Sequence, residues 1–127
     1  MTKAELQAYR QIVKRINQLR AEREELISIV KGIDGMPHGS GKSDPTATAG
    51  MRLADIAAEI DDEIGRLTEE RSRITAVLST LPLKERNLLY YHYILGFTWE
   101  QVAVEFHYNY RWVMRLHSKA LKRIVDL

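Results

Sequence analysis

The chain has 127 residues, 45% of them hydrophobic and 28% charged, and no cysteine. That is one or two small globular domains; disulfides, thiolate metal sites and thiol catalysis are excluded, and no apolar run approaches the ~18 residues of a membrane span. The net charge of +2 is unevenly spread, with 12 basic and 13 acidic residues in 1–80 but 7 basic and 4 acidic in 81–127.

Residues 3–33 read as one long helix. Leu6, Tyr9, Val13, Ile16, Leu19, Leu26, Ile27, Val30 and Ile33 recur mostly at three- and four-residue steps, and that periodicity makes one apolar stripe. Residues 34–50 are rich in glycine, proline, serine and threonine and read as a flexible loop. Periodicity resumes from Met51 through Leu53, Ile56, Ile60, Ile64, Leu67, Ile74, Leu78 and Leu81, and from Ile64 its steps alternate as in a coiled-coil seam. Two helices of similar length joined by one loop predict an antiparallel hairpin over 1–80. Arg20, Arg23 and Arg71 interrupt the stripes, and the expected register places Arg20 and Arg23 near Asp61-Asp62-Glu63. A second flank at Ile12, Leu19, Leu26 and Ile33 is expected to meet another chain, giving a homo-oligomer with a dimer favoured.

Pro82 ends the second helix and can open the next, which runs over 83–95 and stops at Gly96. Two helix starts then follow eleven residues apart. Thr98-Trp99-Glu100-Gln101 has the form of a capping box, with Phe97 placed to pack on Val102. Asn109 can cap a second helix from Tyr110, with Tyr108 against Val113. A tight His107-Tyr108 connection separates the two helices. A short helix, a sharp turn and a longer second helix form a helix-turn-helix, so 81–127 reads as a DNA-binding domain and the whole chain as all-α. On the second helix Val113, Leu116, Ala120 and Ile124 share one stripe. Arg111, Arg115, Ser118 and Lys122 lie opposite, with Met114 and Lys119 at the flanks. Such a face can fork onto guanine edges or phosphates and touch a thymine methyl. The candidate DNA-contacting set is Arg86, Thr98, Asn109, Tyr110, Arg111, Met114, Arg115, Ser118, Lys119 and Lys122. Trp99 and Trp112 are expected to be structural. The charge excess is modest for DNA binding and predicts weak binding by one copy.

The segments Leu81-Pro82-Leu83-Lys84-Glu85-Arg86-Asn87-Leu88-Leu89, Tyr93, Gly96, Thr98 to Ala103, Val113 and Lys119 to Lys122 resemble region 4 of sigma-70-type transcription factors. With the helical half ahead of it, the chain looks like the phage-encoded late-gene regulators of the ArpU/RinA-like group. The resemblance implies a four-helix domain that reads a promoter element, double-stranded DNA as partner, and contact with host RNA polymerase. His107 stands where glycine is usual, and Tyr110-Arg111 replaces the family's basic-acidic pair, so the usual base preference does not carry over.

Other chemistries fit poorly. Gly39-Ser40-Gly41-Lys42-Ser43 lacks the earlier glycine and the preceding strand of a phosphate loop, so it reads as linker. His92, His107 and His117 lack metal-ligand spacing, and the consecutive carboxylates 61–63 point apart. No enzyme, cofactor or metal is expected. Met1 to Arg20 has no signal-peptide core, which fits the cytoplasm of a bacterial host. Two alternatives to a regulator are a packaging adaptor of the terminase small-subunit kind and a polymerase-binding interaction module whose basic helix is merely solvated.

Overall fold

The computed structural model describes residues 1–33 and 45–125. The expected linker motif Gly39 to Ser43 lies outside them. The described residues are helical, with α1 at Lys3–Ile33, α2 at Pro45–Leu78, α3 at Leu83–Leu89, a π-helical turn at Tyr90–Ile94, α4 at Trp99–Phe106 and α5 at Tyr110–Val125. Among them no helix is long and apolar enough to cross a membrane.

α2 begins at Pro45, so residues 45–50 are helix and not the loop that composition predicts. Pro45 suits a first helical position because its φ is fixed and its missing N–H would be unbonded there. Ala47 and Ala49 are strong helix formers, and Ala49 is buried.

The chain divides into two compact units, Val13–Arg66 and Met1–Ile12 with Leu67–Leu127. In the first unit α1 and α2 run antiparallel around Leu19, Ile56 and Ile60, with Leu26 packed against them. Arg52 forks onto Glu22 at 2.8 and 3.0 Å and reaches Glu59 at 3.0 Å. Arg15 meets Glu59 at 3.6 Å. The Arg52 hydrogen bonds hold the Glu22 carboxyl below its ordinary range. These pairs set a register different from the predicted one. Arg20 and Arg23 form no ion pair among the described residues, and Glu63 pairs instead with Arg66.

The second flank on α1 is also not as expected. The buried row is Leu6, Tyr9, Ile12, Ile16 and Leu19, and Leu19 is fully buried within one chain. Ile12 and Leu19 are therefore covered within one chain, and Leu26 is partly buried against the same core, so this row is not the outward flank expected. On α2, Ile64 is 39% exposed, so the seam passes it by.

The second unit does not start at residue 80. Leu6 and Tyr9 are buried, Arg10 donates to the Ile94 carbonyl at 3.3 Å, Glu5 meets Arg73 at 3.4 Å, and the Met1 ammonium donates to the Ile124 carbonyl at 2.9 Å. The first turns of α1 thus complete the core made by Ile74, Leu78, Leu81, Leu88, Leu89, Tyr93, Val102, Val113, Ala120 and Ile124.

Candidate nucleic-acid interface

Local sequence explains how α5 is set. Pro82 occupies the N-cap position of α3 rather than its first turn. Only Leu83–Leu89 is α-helical, and the remainder of the expected helix is the π turn, closed by Leu95 N–H to the Tyr90 carbonyl at 3.1 Å. Gly96 then takes φ 82, a left-handed conformation that glycine adopts without a Cβ penalty. The capping box on α4 is complete, with Thr98 Oγ1 accepting from Gln101 N–H at 3.1 Å and Gln101 Oε1 accepting from Thr98 N–H at 2.9 Å. α4 ends at His107, φ 58. Tyr108 N–H reaches the Ala103 carbonyl at 2.9 Å and His107 N–H reaches that of Val104 at 3.3 Å. This is the paired C-terminal closure usually made with glycine. Asn109 Oδ1 accepts from Trp112 N–H at 2.7 Å and starts α5.

One face of α5 is buried, through Val113, Leu116, His117, Ala120 and Ile124. The opposite face carries a shallow open depression of about 440 Å³ lined by Arg111, Met114, Arg115, Ser118, Lys119 and Lys122. Six of the ten predicted residues thus meet on one surface. Its four cations have no carboxylate partner among the described residues. Arg111 and Arg115 are one helical turn apart, the spacing that lets both enter a groove together. Tyr110, 49% exposed, opens the helix beside them.

The other predicted residues have different work. The Thr98 and Asn109 side-chain oxygens cap helices. Arg86 turns back on the α2–α3 turn, its Nη2 donating to the carbonyls of Ser79 at 3.2 Å and Leu81 at 3.1 Å. A guanidinium held by two carbonyls is poorly placed to serve as the phosphate contact its charge foretold.

The inward side of α5 holds polar groups that periodicity does not reveal. His117 Nε2 and the Tyr93 hydroxyl share a buried 2.7 Å hydrogen bond. Burial pushes the His117 imidazole down to about 4 and the Tyr93 phenol up to about 12. His92 stacks on Trp99 at 3.7 Å, donates from Nδ1 to the Phe97 carbonyl at 2.7 Å, and is likewise held below its ordinary value by burial. Glu85, 3% exposed, is neutralised by Arg123 at 2.9 Å. These pairs lock α3, the π turn and α4 to α5. A Glu in the first turn of α3 and an Arg on α5 were visible in the sequence, but neither side chain's partner was.

Residues 71–124 match the family model described as sigma-70, region 4. The matched span takes in the end of α2 and all of α3, the π turn and α4, and α5 to Ile124, which is less than half of the chain. Neither the curated proteins nor the solved structures contain a match.

Proposed function

We propose that this chain is a sequence-specific DNA-binding transcription regulator, a phage or prophage late-gene activator acting in a bacterial cell, with α5 as its reading helix. The observation that carries this is the depression on α5, where Arg111, Met114, Arg115, Ser118, Lys119 and Lys122 combine forked donors, point charges, a hydroxyl and an apolar tip on one exposed helix face. That mixture suits base edges and phosphates together. The similarity of residues 71–124 to sigma-70 region 4 supports the same reading, and it supports RNA polymerase as a protein partner.

Genome-wide crosslinking of the expressed protein tests the assignment. A regulator gives one or a few sites upstream of an operon, and deletion of such a site abolishes the transcriptional response. Crosslinking confined to a packaging-initiation region, with no change in transcription, contradicts it.

A further inference from the structure

A second depression adjoins the reading face. It is an open groove of about 570 Å³ between the start of α3 and α5. Pro82 and Leu83 line it from one side, Trp112 and Leu116 from the other. Leu83 is 63% exposed and Trp112 43% exposed. Two large apolar side chains left in water on facing walls represent unrealised burial.

The rim is cationic. Lys84, Arg115 and Lys119 line it without carboxylate partners among the described residues, whereas the wall's one acid, Glu85, is already neutralised by Arg123. The complement therefore has to supply apolar groups for the floor and negative charge for the rim. The outer edge of a duplex supplies only the charge and leaves the floor wet. An amphipathic helix supplies both, with apolar side chains at i and i+3 or i+4 and carboxylates at their flanks.

We infer that this groove docks an acidic amphipathic helix of a protein partner, held beside the duplex that α5 reads. Arg115 and Lys119 line both depressions, so partner and DNA occupy adjoining surfaces. The inference goes beyond DNA reading and does not require it, because the floor residues Leu83 and Trp112 are outside the reading set.

Selection from a displayed library of helical peptides against the full chain tests this, with labelled winners titrated by fluorescence anisotropy. The winners should pair apolar residues one turn apart with Asp or Glu. Their affinity should fall at least ten-fold against Leu83→Ser and against Lys84→Gln, while circular dichroism and duplex binding stay as in the parent protein. Winners that are basic or uncharged, winners indifferent to both substitutions, or no enrichment overturn the inference. If Leu83→Ser and Lys84→Gln weaken duplex binding as strongly as peptide binding, the groove belongs to a DNA strand. Failure of the reading-helix assignment has a different signature: Arg111→Ala leaves duplex binding intact, whatever the peptides do.

Discussion

Lys84 and Arg86 lie two residues apart on α3, and charge alone assigns them the same role. Geometry separates them, because Arg86 holds the carbonyls of Ser79 and Leu81 while Lys84 lines an open groove. Hydrogen bonds to a charged donor contribute roughly 1.5–3 kcal/mol. Arg86→Ala should therefore lower the unfolding free energy measured in urea by an amount of that order and leave the salt dependence of DNA binding unchanged. A phosphate contact would show the reverse, a salt slope smaller by about one unit at constant stability.

His117 gives a second residue-scale test. Its folded pKa, about 4, lies below the ordinary value, so the unfolded chain binds the proton more readily. Stability is then complete above about pH 6.5 and is lost as pH falls toward 4, by about 2 to 3 kcal/mol at the lower end. His92 is shifted the same way and adds to the loss. Urea unfolding at pH 7 and pH 4.5 should show it, and His117→Asn should flatten the profile.

At the scale of elements, the helices and caps were legible because their signals are local. Thr98 with Gln101, Asn109 before Tyr110, and Gly96 after the aromatic run each announce a terminus through the bonds one side chain or one backbone conformation can make. The outward row Arg111, Arg115, Ser118 and Lys122 was legible because helical periodicity assigns faces. Other features depend on partners distant in sequence. The π turn in Tyr90–Ile94 has no compositional mark of its own. The hairpin register brings Arg52 to Glu22 across thirty residues of sequence, a pairing that no local signal marks. Ile12, Leu19 and Leu26 recur at seven-residue intervals, which suggests an outer flank, but that spacing does not say which partner covers the row. Leu19→Glu tests its place inside the fold. A carboxylate buried against Ile56 and Ile60 should unfold the hairpin, with loss of helical circular dichroism at 222 nm. A variant that keeps its helicity and merely changes oligomeric state would restore the outer-flank reading.

For the molecule as a whole, the unit that carries α5 is assembled from both ends of the chain. Leu6 and Tyr9 enter its core, and Arg10 reaches the Ile94 carbonyl. Sequence reasoning separated a hairpin at 1–80 from a reading domain at 81–127. The packing instead groups Met1–Ile12 with Leu67–Leu127. Helices as short as α3 and α4 bury little apolar surface by themselves, and the first turns of α1 add Leu6 and Tyr9 to their core. In the proposed function α5 reads DNA through Arg111 and Arg115. Fluorescence anisotropy of the full chain against a selected duplex and a scrambled one measures it directly. Bidentate arginine–guanine contacts contribute ~1–3 kcal/mol each, so Arg111→Ala with Arg115→Ala should weaken the selected duplex by roughly two to four powers of ten. The scrambled duplex should lose far less, and the melting temperature should hold because both side chains are exposed. Parent-like binding of both duplexes by the double variant would contradict the account.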